Sequence, residues 1–135
     1  MIKIIYGPKG TGKTKILIDE ANAKVASAKG HLIFITNTKR YMYDLHRDIR
    51  FIDTSDFMVA GEEALIGFIK GVVAANNDNE YLFIDGAARI AGKDLKDMAA
   101  FYYVLERLAE QNGLTVYVTC SADKGELPEF VTKYL

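Results

Sequence analysis

Residues 7–14 read Gly7-Pro8-Lys9-Gly10-Thr11-Gly12-Lys13-Thr14, and this octapeptide decides both the fold and the chemistry to look for. A glycine, four residues, then Gly-Lys-Thr is the spacing of a loop that wraps phosphate between a strand and a helix. Phosphate oxygens leave water only if their hydrogen bonds and charge are replaced. A glycine-rich loop offers a row of backbone N–H donors. Gly10 and Gly12 can take positive φ and leave no Cβ in the way. The helix that follows turns unpaired N–H groups and partial positive charge toward the anion. Lys13 is then placed to reach the β- and γ-phosphates, and the Thr14 hydroxyl to ligate Mg²⁺. Glycine frequencies alone put an accidental match in a chain of this length on the order of a per cent or less.

The flanks supply what the motif needs. Ile2, Ile4 and Ile5 form a short apolar strand before it. Leu17, Ala21, Val25 and Ala28 recur at helical spacing after it, with Gly30 as the expected stop. The next apolar run, Leu32 to Ile35, ends at Thr36. The stretch from Lys39 to Arg47 reads as a short helix and Ile49 to Ile52 as a third strand. A helix follows from Gly61 to Asn76, with Leu65, Phe68, Ile69, Val72 and Val73 on one face. Gly67 and Gly71 lie inside it, each costing about 1 kcal/mol relative to Ala. That cost points to close packing of the helix backbone on the sheet, with a dimer seam as the alternative. Asn76 to Asn79 is a turn cluster, and Tyr81 to Asp85 is the next buried strand. The spacing then predicts a helix from Asp94 to Asn112, with Leu95, Met98, Tyr102, Leu105 and Leu108 inward and Gly113 as its stop. Leu114 to Thr119 is the last strand. A short helix opens near Pro128, with Leu127, Phe130, Val131, Tyr134 and Leu135 as its apolar face.

Strand–helix alternation with continuous apolar strands predicts an α/β three-layer sandwich. Its sheet is parallel, of about five strands, with helices on both faces. The 135 residues, half of them hydrophobic, suffice for one domain spanning 1–135. Chemistry in such a sheet sits at the carboxyl ends of the strands. The phosphate loop, Thr36 to Thr38, Asp53, Asp85 and Thr119 to Ser121 therefore share one rim. The net charge of −1 provides no field toward nucleic acid or anionic membrane, and no segment is long and apolar enough for a membrane span. Met1 to Tyr6 is already the first strand, so no signal peptide is expected and the cytoplasm is the expected location. Cys120 is the only cysteine, which excludes an intramolecular disulfide. It reads as a small buried filler, since no histidine is patterned to activate it. His31 and His46 are isolated and read as surface or strand-edge residues.

Asp85 ends the apolar run Leu82-Phe83-Ile84, in the manner of a strand that presents a carboxylate to Mg²⁺. The hard ion prefers oxygen ligands and keeps part of its hydration shell. An aspartate that merely ends a strand is the alternative.

These pieces together resemble the RecA-like branch of the P-loop NTPases. The resemblance covers residues 2 to about 121: the octapeptide, Phe34 to Thr38, Gly61 to Leu65, Phe83 to Ala88 with Asp85 as the Walker B acid, and Val116 to Thr119. The chain also looks like small single-domain bacterial P-loop proteins described only as ATP-binding. The resemblance implies that ATP and Mg²⁺ bind, with residues Gly7, Pro8, Lys9, Gly10, Thr11, Gly12, Lys13 and Thr14 around the phosphates. Thr14 and Asp85 would hold the metal, and Lys13 and Asp85 would carry the catalytic roles. It further implies that Thr119 or Ser121 senses the γ-phosphate, against the alternative of a strand-end hydroxyl serving local backbone.

The departures set the function apart. Hydrolysing members place a glutamate directly after the Walker B aspartate, where Gly86 stands, or just past the second strand, where Thr36, Asn37 and Thr38 stand. Asp53, Asp56, Glu62 or Glu63 can substitute only if a loop brings one within about 3 Å of the attacking water. The expected function is therefore Mg–ATP binding with slow or partner-stimulated hydrolysis, the stimulating arginine coming from a protein partner or from another copy in a homo-oligomer. One alternative is a small-molecule or nucleotide kinase. Asp85-Gly86-Ala87-Ala88-Arg89 is similar to a segment of adenylate-kinase-like enzymes in which the arginine grips an acceptor phosphate, although Arg89 reads more simply as a solvated loop residue. A non-catalytic nucleotide switch or assembly module is the other, with the Lys39 to Asp44 stretch as a docking surface, an ordinary connector or a stacking site for adenine. No Asn-Lys-x-Asp segment follows Asp85, so ATP is expected over GTP, and no nucleic-acid partner is expected.

Overall fold

Apolar runs of four to six residues bounded by turn signals build the strands, and each strand but one is followed by a helix. The computed structural model describes the backbone of residues 1–135 and every side chain except that of Lys124. The elements run β1 (Ile2–Gly7), α1 (Lys13–Lys24), β2 (His31–Thr36), β3 (Ile49–Asp53), α2 (Glu62–Ala75), β4 (Asn79–Ile84), α3 (Ala87–Ala91), α4 (Ala99–Asn112), β5 (Thr115–Ser121) and α5 (Glu129–Thr132). The five strands form one all-parallel sheet in the order β1-β5-β4-β2-β3. No helix among the described residues is long and apolar enough to cross a membrane.

The strand period of two sorts the core into two layers. Ile33, Ile35, Ile52, Leu82, Ile84, Val116 and Val118 face α2, α3, α4 and α5, where Leu65, Ile69, Met98, Phe101, Tyr102, Leu105 and Val131 meet them. Leu32, Phe34, Phe83 and Tyr117 face the other way, onto Leu17, Ile18 and Ala21 of α1. The second face carries an aromatic ladder at neighbouring register positions, Phe51–Phe34–Phe83–Tyr117, with ring centroids 6.4, 6.4 and 5.2 Å apart. Helices thus cover both faces, but unequally: one helix over the aromatic face and four over the β-branched face.

The connection from β2 to β3 helps α1 cover its face. The expected helix over 39–47 is only a single 3-10 turn, Met42–Asp44. Asn22 of α1 accounts for this. Its amide donates to the Asp44 carbonyl (2.9 Å) and its carbonyl accepts from the His46 N–H (2.8 Å), which holds both backbone groups outside an α-helical ladder. Leu45 between them is buried under α1.

Other boundaries also differ from the sequence reading. Helix α1 ends at Lys24, where bonds from Val25 to Asn22 and from Ser27 to Lys24 tighten the chain into a turn. Val25 and Ala28 still pack on the aromatic face, but from that turn. Gly30 is consequently no helix stop. A Cβ there would collide with the Asp78 carbonyl, which accepts from the His31 N–H, so glycine is required for close approach at the start of β2. The long helix expected from Asp94 is a 3-10 turn, Leu95–Asp97, followed by α4. Gly67 and Gly71 lie on the exposed face of α2 with nothing within 4 Å of a built Cβ, which overturns the expected close packing against the sheet. Leu135 is exposed, so the apolar face at the chain's end stops at Tyr134. Lys133 and Tyr134 both reach Oε2 of Glu106, at 3.0 and 2.9 Å, and tie the segment after α5 to α4.

Candidate functional site

Parallel strands place all their carboxyl ends on one rim, and the register shows which residues meet there. Gly7 stands opposite Ser121, Ile5 opposite Thr119, Ile84 opposite Val118, and Thr36 opposite Asp53. A cleft of about 500 Å³ opens on this rim. Its wall includes Lys9, Gly10, Lys13 and Thr14 of the glycine-rich loop and the start of α1, and also Arg89 and Lys93.

The glycine-rich loop joins β1 to α1. Gly10 and Gly12 both adopt left-handed backbone, with φ of 78° and 82°. Side chains rarely enter that region, so both positions favour glycine. Two donors converge on one carbonyl: Thr11 Oγ1 (2.6 Å) and Lys13 Nζ (2.8 Å) both donate to the Pro8 oxygen. Lys13 is 9% exposed, so its ammonium is held inside the loop rather than extended into solvent. Helix α1 begins at Lys13 with no side-chain cap, which leaves its first-turn N–H groups without the usual partner.

Asp85 lies one residue past β4, 4% exposed, at the centre of a hydroxyl cage. Its Oδ1 accepts from Thr14 Oγ1 (3.1 Å) and Thr119 Oγ1 (3.0 Å), and its Oδ2 from Thr36 Oγ1 (3.4 Å). Thr119 in turn accepts from the Gly86 N–H at 3.0 Å. Three separate elements, α1, β2 and β5, therefore converge on one carboxylate. Of the two candidate sensor residues on β5, Thr119 is inside this network and Ser121 is exposed at the lip of the cleft.

Arg89 is solvent-exposed, as expected, but it does not stand in a loop. It sits on α3, a five-residue helix that sequence periodicity missed because glycines flank it and it is shorter than two turns. Its Nε donates to Asn37 Oδ1 (2.9 Å) and its Nη2 lies 3.7 Å from Asp85 Oδ2. Lys93, four residues further on, bridges to Glu62 Oε1 at 3.2 Å.

The substitute carboxylates do not reach the cleft. Asp53 is tied to Lys39 Nζ (2.8 Å) and to the backbone N–H and hydroxyl of Ser55 (3.0 and 2.6 Å). Burial pushes its carboxyl up, but the Lys39 ammonium and the Ser55 donors outweigh this and hold it below the usual range. Asp56 pairs with the same lysine. Glu62 serves Lys93, and Glu63 is exposed. Asp85 and Asp94 are the carboxylates on the cleft wall.

Cys120 and Tyr102 also reach the cleft, as its floor, with the phenol oxygen 3.1 Å from the thiol sulfur. Burial pushes the thiol up to about 11, with the Tyr102 hydrogen bond and the Lys13 charge opposing. Thiolate is the reactive form, so the folded protein should resist iodoacetamide at pH 8 and label fully in denaturant. Rapid labelling of the folded protein, followed by mass spectrometry, would show that the floor is open to solvent.

No family model matches this chain, and no curated protein matches it.

Proposed function

We propose that this protein is a P-loop protein of the RecA-like kind that binds Mg²⁺ and ATP and hydrolyses it slowly or only when a partner stimulates it. The observation that carries the reading is the meeting of Thr14 and Asp85, 71 residues apart, at 3.1 Å beside Lys13 on the carboxyl rim. A hydroxyl and a carboxylate are the donor types that Mg²⁺ prefers, and a hard ion between them leaves further positions for phosphate and water. Lys13 offsets phosphate charge, and the amides from Lys9 to Thr14 supply donors along the loop. When bound, the metal would neutralise charge on the β- and γ-phosphates.

A second reading, a nucleotide-dependent switch without turnover, is favoured by one observation. Asp53, Asp56, Glu62 and Glu63, the carboxylates considered as a replacement base, are each paired elsewhere or exposed, and none of the four lines the cleft.

Isothermal titration with Mg–ATP, repeated in EDTA, tests the shared part of both readings. Magnesium-dependent binding is expected, and no heat with any magnesium–nucleoside triphosphate would refute it. Phosphate release then separates the two readings, with slow release favouring the ATPase. ADP formation that requires an added small acceptor would favour a kinase instead.

A further inference from the structure

Besides Asp85, the cleft is lined by Gly86, Ala88 and Arg89. The Arg89 guanidinium lies directly over Gly86, so closely that a Cβ built on Gly86 would collide with Nη2 and Cζ. The two oxygens of Asp85 face different surroundings: Oδ1 faces Thr14 and Thr119, and Oδ2 faces Thr36 and Arg89. A phosphate chain held along the glycine-rich loop, with a metal at Thr14 and Asp85, would lie beside Arg89, whose Nη2 is 3.7 Å from Asp85 Oδ2.

Lys9, exposed on the glycine-rich loop, and Arg89 are the cations on the cleft wall that can receive a ligand with little loss, and Arg89 is the one of the two outside that loop. Lys13 is buried in the loop and Lys93 is paired with Glu62. Arg89 uses only Nε, on the neutral side-chain amide of Asn37. Among the described residues, neither Nη has an acceptor within hydrogen-bonding distance, because the Asp85 carboxylate stands off at 3.7 Å. Its side chain is 55% exposed. A planar fork with unused donors, permanently charged, is suited to a phosphate's paired oxygens.

We propose that Arg89 binds the terminal phosphate of the nucleotide and makes this cleft prefer a nucleoside triphosphate to a diphosphate. The inference rests on the nucleotide-binding reading above. It also changes the source of the cation: the positive charge at the γ-phosphate comes from this chain and not from a partner. An arginine cannot act as a base, because it stays protonated. Arg89 over Gly86 therefore holds the terminal phosphate without activating water against it.

The test is a ratio of affinities, measured by titration calorimetry at one salt concentration. Mg–AMP-PNP, a non-hydrolysable ATP analogue, is compared with Mg–ADP on the parent protein, Arg89→Ala and Arg89→Lys. The parent should bind the triphosphate about tenfold or more tightly, the effect of one charge-assisted contact. In Arg89→Ala the two affinities should come within about twofold of each other, and Arg89→Lys should fall between. ADP binding by each variant reports that the cleft is still formed. If the parent binds both nucleotides and the ratio is the same in Arg89→Ala, the residue only ties α3 to Asn37 and the proposal is wrong. A parent that binds both equally also overturns it. A parent that binds neither overturns the nucleotide-binding reading and this inference with it.

Discussion

Lys13→Ala should lose about 10- to 150-fold in affinity for Mg–ATP while melting within a few degrees of the parent. A charge-assisted hydrogen bond contributes about 1.5–3 kcal/mol, and each 1.4 kcal/mol is about tenfold in binding. Lys13 is mostly shielded from water, which weakens screening and favours the upper end. The fold has little stake in the ammonium. Its one hydrogen bond is to the Pro8 carbonyl, which also accepts from Thr11 and belongs to an exposed residue. Lys13→Arg should not restore binding, because a longer planar cation does not fit the space of a compact one inside the loop. Calorimetric titration and a thermal melt of the two variants decide the matter. Parent-like affinity in Lys13→Ala would remove the lysine from the site, whatever the loop's spacing.

Phe83→Ala should cost about 3–5 kcal/mol of folding stability, the usual range for a fully buried phenylalanine. Phe83 is 0% exposed on β4, the middle strand of the five. Phe34, Tyr81 and Tyr117 surround its ring with centroids 6.4, 6.1 and 5.2 Å away. The neighbouring rings are fixed by strand pairing at register positions on both sides, so they cannot collapse into the space left behind. Only α1 could settle, and its N-terminus is held at the glycine-rich loop. Against a typical total of about 5–15 kcal/mol, roughly a fifth or more of the stability would be lost. Equilibrium urea denaturation of Phe83→Ala and Phe83→Leu measures this. A loss under about 1 kcal/mol for alanine would mean that the aromatic ladder does not set the packing of the α1 face.

Much of the architecture was legible in the order of residues. The octapeptide 7–14 announced a strand before it and a helix after it, and both are present. The runs at Leu32, Ile49, Tyr81 and Leu114 became β2 to β5, because continuous β-branched and aromatic residues have few other ways to bury both faces. The carboxyl rim followed from the alternation alone, and with it the company of Asp85, Thr14 and Thr119. Two of the local errors share a cause: competing side-chain contacts that no local window contains. Asn22 stops residues 44–46 from becoming helical. Gly67 and Gly71 face solvent because Leu65, Ile69 and Val73 already fill the α2 contact with the sheet.

What the sequence by itself determined is therefore a parallel sheet with a glycine-rich loop after its first strand. Hydrophobic period and glycine spacing are local properties, and they survive without knowledge of the partners. Only the tertiary structure decided the contacts within the site. Thr36 and Arg89 surround Asp85 from different strands and helices, and Asp53, Asp56 and Glu62 are drawn away to Lys39 and Lys93. Such pairings depend on distances between residues dozens of positions apart. Strand order, with β5 inserted between β1 and β4, sets those distances.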